Sequence, residues 1–295
     1  MNFIRLMNNH HNMDYFIPTY KRPHIILSHT LELLHRLKVP QENIFVVVGC
    51  DNEDDFYEYF FPINELYPNV NVLVGDNSNY KASQLNFIRQ ELLYERQLAC
   101  IMDDDIEDIL IKVNNKLQSI NIDEFDKLIS TGSNLLRGYD VGLMGVNSTG
   151  NPFYMTDKVK LCKSCICGGF QVFFNDPNLT TYINQGEDAY TSCWFIDNYG
   201  NNLKWDFITL KTKLFKDGGL NDYRSNMDKV YNDYLSVALK YPQYVSYYTW
   251  NLGDEYGVDK NGKKVKIPNS RKNKLNIELK WLRTKSIDIR CYDDF

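Results

Sequence analysis

This sequence predicts an α/β protein, with a mostly parallel central sheet flanked by helices and a small C-terminal extension. Three observations carry that expectation. Short apolar runs recur at similar intervals through the first third of the chain, amphipathic helical patterns lie between or beside them, and the runs are β-branched without alternation. Unalternating strands suit a sheet covered on both faces, and strands alternating with helices build parallel sheets. A chain of 295 residues holds one large domain of this kind, with room for an appendage.

The elements follow in order. Tyr15–Ile17 is the first candidate strand, and Pro18 and Pro23 bracket a rigid turn where Thr19, Tyr20 and Arg22 can reach a ligand. Pro23 fits the first turn of a helix whose face carries Ile26, Thr30, Leu33, Leu34 and Leu37. Ile44–Val48 is the second strand, and 56–66 a poorer helix interrupted by Pro62. Val70–Val74 is the third strand. Residues 82–96 form a helix with Leu85, Ile88, Leu92 and Leu93 on one side and Lys81 and Arg89 as flanking charges, most simply solvated. Leu98–Met102 is the fourth strand.

Beyond it the rhythm changes. Asn121 with Glu124 predicts a capped helix over 122–137. Val141–Val146 reads as a strand, 148–152 as a loop, and 159–174 as strand-like around Gly168-Gly169. A helix over 187–199 stops at Gly200, a strand or hairpin follows over 203–214, and 216–226 is loop by composition. A helix over 227–240 ends before Pro242, and the candidate boundary lies near 253–260. The expected division is therefore a domain over 1–252, with halves 14–108 and 109–252, and an extension over 253–295.

A hydrophobic fraction of 43% with 24% charged residues excludes a disordered, collagen-like or coiled-coil chain. No stretch approaches the roughly 18 apolar residues of a membrane span. The start, with His10 and His11, is too polar for a secretory leader, so a cytoplasmic protein is expected. Seven cysteines without such a leader are read as reduced thiols. Charge is uneven. Lys260 to Arg290 holds eleven Lys and Arg against Glu278 and Asp288, so a net charge of −5 leaves −14 for the rest. A solvated tail and a polyanion-binding surface both explain this.

The strongest chemical signal is Asp103-Asp104-Asp105, delivered by a buried strand to its carboxyl end, where ligands bind open α/β sheets. Were the chain extended there, Asp103 and Asp105 would share a side and Asp104 would oppose them. Two hard oxygen ligands suit Mg²⁺ or Mn²⁺, with phosphates and water completing the shell. An acidic surface turn is the plainer alternative. Glu187 and Asp188 begin a predicted helix, where the dipole favours ionised carboxylates. They are candidates for a general base or for simple helix capping.

Taken together, these segments resemble the GT-A nucleotide-sugar glycosyltransferases, over about residues 14–200. Residues 16–23 look like that family's first strand and turn. Val46 to Asn52 is similar to the second strand's end, Asp103-Asp104-Asp105 to its Asp-x-Asp motif, and Gly168-Gly169-Phe170 with Gly186-Glu187-Asp188 to its acceptor-side motifs. The resemblance implies a UDP-sugar donor bound by Pro18, Thr19, Tyr20, Arg22, Asp51, Lys81, Asp103, Asp104 and Gly169. It also implies Mn²⁺ or Mg²⁺ on Asp105 and Asp103, with Asp188 and Glu187 catalytic. In wording the motifs look most like the glycosyltransferases associated with TET/JBP base-oxidising dioxygenases of phages and kinetoplastids. That implies a hydroxymethylated pyrimidine in DNA as acceptor, with DNA held by Lys260–Arg290; a glycan acceptor and a non-catalytic sugar-nucleotide-binding module are the alternatives.

The pattern departs from the family in one respect. Many members supply a late His to the metal, whereas all five His here precede the second strand, leaving Asp206, Asp217 and Asp222 as late options. Cys162, Cys165 and Cys167 have zinc-like spacing without a convincing fourth ligand, so packed thiols are the better expectation. Aromatics such as Tyr223, Tyr234 and Trp250 fill the second half as core, or as platforms for a sugar or base. No Gly-rich phosphate loop of nucleotidyltransferase, Walker or dinucleotide-binding type is present.

Overall fold

A computed structural model of the chain describes residues 13–76, 78, 80–212, 219–267 and 277–291. Its first half is built from β1 (Asp14–Tyr20), α1 (Pro23–Ser28), α2 (Thr30–Arg36), β2 (Ile44–Gly49), α3 (Glu53–Leu66), β3 (Asn71–Val74), α4 (Tyr80–Phe87) and β4 (Leu98–Met102). β1 pairs parallel with β2 and β4, and β2 with β3, giving the spatial order 3-2-1-4. The unalternating hydrophobicity has the cause expected of it. Tyr15, Ile17, Val46, Val48, Cys100 and Met102 join one apolar cluster, while Phe16, Val47, Ala99 and Ile101 join another on the opposite face. Each large apolar side chain so withdrawn from water contributes about 1.5–3 kcal/mol.

The second half adds β5 (Ile106–Val113), β6 (Lys116–Ser119), α5 (Ile122–Gly138), β7 (Leu143–Asn147), β8 (Lys158–Cys162), β9 (Phe170–Phe174), α6 (Glu187–Tyr199) and β10 (Asn202–Thr212). β9 inserts antiparallel between β4 and β7, which welds the two halves into one mixed sheet flanked by helices. α5 carries the anticipated capping box, with Asn121 and Glu124 each bonded to the other's backbone amide. α7 (Asn221–Arg224) and α8 (Met227–Lys240) lead into a small antiparallel sheet of β11 (Val245–Thr249), β12 (Tyr256–Asp259), β13 (Lys264–Lys266) and β14 (Ile277–Trp281). β15 (Ile287–Cys291) then returns to the large sheet against β8.

Several elements differ from expectation for local reasons. The helix expected from Pro23 to Leu37 breaks at His29, where φ and ψ are −127° and −90°. Helix α3 runs through Pro62 and starts earlier, at a turn capped by Asn52 and enriched in Glu53, Asp54 and Asp55. The helix expected over 82–96 ends at Leu92, its last stretch (Ile88–Leu92) wound as a π turn. The strand expected over 159–174 is two strands, β8 and β9, with the Gly-Gly turn between them. The β5–β6 hairpin was not anticipated. It turns at Asn114 and Asn115, both left-handed at φ 50° and 59°, a conformation Asn tolerates in hairpins. The expected division at residue 252 falls inside the small sheet, between β11 and its partners β12 and β14.

Candidate active site

Register sets the site. Phe16 pairs with Ile101, so Pro18 and Thr19, among the last residues of β1, lie beside the end of β4. β4 stops at Met102 and the three aspartates form a turn rather than further strand. The alternation expected of extended chain therefore does not hold: Asp103, Asp104 and Asp105 all line one cleft of about 260 Å³. Thr30 holds this turn from beneath, its Oγ1 donating to the Asp103 carbonyl at 2.8 Å and accepting from the Ile106 amide at 3.0 Å. The helix break at His29 is what lets α2 begin at that hydroxyl.

Each carboxylate has a partner. Asp104, buried, accepts from Thr19 Oγ1 at 2.7 Å and from Arg22 Nη1 at 3.3 Å. Arg22 also stands 3.6 Å from Asp105 Oδ2. Lys81 Nζ lies 2.8 Å from Asp103 Oδ1 and 2.9 Å from Glu187 Oε1, tying the end of β4 to the start of α6. Burial, then Asp103 and Asp104, push the Asp105 carboxyl up to about 7. Burial also raises Asp104, opposed by Arg22 and Thr19. For Lys81 burial works downward, but Asp103 and Glu187 outweigh it and hold the ammonium well above its ordinary range.

Pro18, Thr19, Tyr20, Arg22, Lys81 and Gly169 line the cleft together with the three aspartates. At Gly169 the backbone must come close, because a Cβ would stand 2.8 Å from Leu210 and 3.5 Å from Asp103 Oδ2, and its carbonyl accepts from the Asp103 amide at 3.1 Å. Asp51 is placed elsewhere. It is an exposed rim residue beyond Tyr20, whose hydroxyl donates to it at 3.1 Å, and Lys21 pairs with it at 2.8 Å. Glu187 and Asp188 line a second, one-water hollow of about 10 Å³, with Lys81 in the wall common to both spaces. Burial, then the neighbouring Glu187, raise the Asp188 carboxyl to about 6, against a 2.7 Å bond from the Ala189 amide.

Sequence reasoning missed a wall of the cleft that closes on the end of β1. Gly219, Leu220 and Arg224 reach the cleft after β10. The Gly219 amide donates to the Tyr20 carbonyl at 3.0 Å; its φ of +60° favours glycine, and a Cβ there would stand 2.6 Å from the Arg22 guanidinium and displace it. Arg224 donates from Nε to Gln185 at 2.7 Å, and Tyr223 is pinned by Asp233 at 2.7 Å. Asn147, Tyr80 and Cys167 also line the cleft. In the sequence this region is marked by loop composition, by Asp217 and Asp222 as late metal options and by Tyr223 as an aromatic, but not as a cleft wall, since its contacts join residues far apart in the chain.

Arg89 is neither solvated nor in the cleft: it is 1% exposed and sits behind α6. Of the late metal candidates, Asp206 is not part of the cleft lining and is bound to Lys160 at 2.7 Å, Lys204 at 3.2 Å and Asn147 at 2.7 Å. Burial works to raise its pKa, but Lys160, Thr156 and Lys204 outweigh it and hold the carboxyl below the usual carboxylate range. Asp217 and the side chain of Asp222 lie outside the described residues. Among the described residues no three His, Cys, Asp or Glu side chains are arranged as a ready metal site, and all six described cysteines are free. The candidate zinc thiols diverge, Cys162 toward Ser164, Cys165 toward Ser192 and Cys167 into the cleft.

No family model and no curated relative matches the sequence. The fold, however, matches solved structures. One is a mannosyltransferase from Pyrobaculum calidifontis in complex with GDP-Man and Mn²⁺, at TM-score 0.52 and 12% identity over 78% of this chain and 64% of that one. Another is S. aureus TarS 1-349 in complex with UDP-GlcNAc, at TM-score 0.52 and 13% identity over 77% of this chain and 66% of that one. The chain thus spans just under two thirds of each. The architecture is a GT-A-like glycosyltransferase fold. Among the described residues no helix is long and apolar enough to cross a membrane.

Proposed function

We propose that this chain is a glycosyltransferase that moves a sugar from a nucleoside-diphosphate sugar, a UDP-sugar as donor, to an acceptor hydroxyl. One observation carries the reading: the aspartate turn at the end of β4 and the residues leaving β1 share a cleft, and Lys81 links that cleft to the carboxylates opening α6. Thr19, Tyr20 and Arg22 would receive the nucleotide from the β1 side. Lys81 and Arg22, each already between two carboxylates, would exchange part of that pairing for diphosphate oxygens.

The donor set fits a divalent cation. Asp103 and Asp105 supply hard oxygens at the cleft edge, the rest of the shell being open to phosphate and water, as Mg²⁺ or Mn²⁺ accepts. Bound there, the ion would offset charge on a departing diphosphate. Asp188, its carboxyl raised to about 6 by burial and Glu187 and lying beyond Lys81, would take the acceptor proton, and Glu187 would anchor Lys81.

For the acceptor, hydroxymethylated pyrimidine in DNA remains the proposal of the sequence resemblance. Its physical support is surface charge alone: Lys260, Lys263, Lys264, Lys266, Lys280, Arg283 and Lys285 are all exposed on or near the small sheet. The test is UDP release from a panel of UDP-sugars with Mn²⁺, with and without hydroxymethylated DNA. Asp105→Ala and Asp103→Ala should each abolish release and transfer, as should chelation. Full activity in those proteins under chelation would overturn the assignment, and DNA-independent transfer to glycans would move the acceptor to that class.

A further inference from the structure

The proposed chemistry uses Lys81 but leaves a second buried cation without a task. Arg89 sits on the π turn at Ile88–Leu92, and the freed carbonyls there are taken up by Asn175 Nδ2, which donates to the Arg89 carbonyl at 2.8 Å. Such widened turns are uncommon and cluster at functional positions. Among the described residues the guanidinium meets no carboxylate. Nη1 donates to Thr181 Oγ1 at 3.0 Å, Nη2 reaches toward Thr191 Oγ1 at 3.5 Å, the ring of Phe173 lies 5.9 Å away, and Nε has no hydrogen-bond partner. A buried charge with hydroxyl partners alone is unfavourable unless a distant opposite charge compensates it.

The compensating charge lies on α6. Thr191 stands one turn after Glu187, on the same helix face, and lines the one-water hollow with Glu187, Asp188, Lys81 and Gln171. We propose that Arg89 is a positioning residue, a cation behind α6 that fixes the Glu187–Asp188 turn through Thr191 and faces its charge. This rests on the sugar-transfer reading for its role in turnover, but not for the coupling itself. Lys81 would hold Glu187 from the cleft side and Arg89 from within. Burial lowers Arg89 to about 10, with Glu187 and Tyr190 opposing, so it stays charged at neutral pH. The other groups facing the pair are Lys81 from α4, Asp103 from the end of β4, Cys165 and Cys167 from the β8–β9 loop, and Tyr190 and Cys193 on α6. Burial keeps those thiols protonated.

The experiment compares Arg89→Met, Arg89→Lys and Thr191→Val with the parent chain, metal-free, by ¹³C NMR titration of the carboxyl carbons, and separately by kinetics with Mn²⁺. In Arg89→Met, with the buried cation behind α6 removed, the Asp188 carboxyl should titrate at least about half a pH unit higher. The kcat should fall roughly 10- to 100-fold while UDP affinity stays within about twofold. Arg89→Lys should restore the titration and part of kcat; Thr191→Val should keep the titration and lower kcat. A folded Arg89→Met protein with parental titration and kcat overturns the proposal. Where Arg89→Met does not fold, parental behaviour of both other variants does the same. A shifted titration in a chain that transfers no sugar would sink the transferase reading and leave the Arg89 coupling standing.

Discussion

Asp188 shows how burial that costs stability can set up chemistry. Its carboxyl titrates near 6 because burial and Glu187 disfavour the anion. Between the ordinary carboxylate pKa and 6 the folded chain binds more protons than the unfolded one. Stability therefore falls as pH rises through that window, and the full penalty, on the order of 3 kcal/mol, is present above it. Asp188→Asn should raise the melting temperature at pH 8 and leave it unchanged near pH 3. The same variant should lose roughly 10²–10⁴ in transfer rate, and the parent's kcat/KM should climb with pH along a limb near 6. A variant no more stable at pH 8 than the parent would refute the burial account; one that retains its rate would remove Asp188 as base. Asp104 is raised by burial as well, but it accepts from Thr19 and Arg22, which oppose that shift and place it to orient the turn.

At the scale of elements, the site depends on interruptions of regular structure. The α1–α2 break delivers Thr30 to the aspartate turn, the π turn holds Arg89, and the end of β4 converts a strand into a cradle. Thr30→Val conserves shape but removes one bond given to Asp103 and one taken from Ile106. It should cost about 1–3 kcal/mol in denaturant unfolding and weaken donor binding, since the turn loses its support. Unchanged stability together with unchanged UDP affinity would show the turn to be self-supporting. These interruptions are also where the sequence was hardest to read. The four parallel strands, α5 with its capping box and α6 with its Gly200 stop were legible because composition, period and cap agree locally. The break at His29 and the wall from Gly219 to Arg224 were not, since each answers a residue far away in the chain: Thr30 to Asp103 and Ile106, Gly219 to Tyr20, Tyr223 to Asp233. Likewise the acidic cluster was plain as a motif, while its turn geometry depended on where β4 stops.

For the molecule as a whole, charge suggested a separable basic extension from residue 253, but strand pairing crosses that point twice. β11, before it, bonds to β12 and β14 after it, and β15 closes the edge of the large sheet against β8. The small sheet also packs on α8, whose Asp233 pins Tyr223 beside the cleft wall. Removing residues 253–295 would expose both edges of β11 and one of β8, along with the buried side chains of Val245 and Trp250, and unpaired edges favour aggregation over folding. Expression of residues 1–252 should therefore give aggregated protein or a chain without a cooperative unfolding transition, and its UDP affinity should fall with the loss of the Gly219–Arg224 wall. A soluble, cooperatively folding 1–252 fragment with parental UDP affinity would establish the boundary that charge alone suggested. Neutralising Lys263, Lys264 and Lys266 in the full chain separates surface charge from folding. Those side chains are exposed, so that triple variant should keep parental stability and donor binding, and only binding to a polyanionic acceptor, steeply salt-dependent in the parent, should weaken.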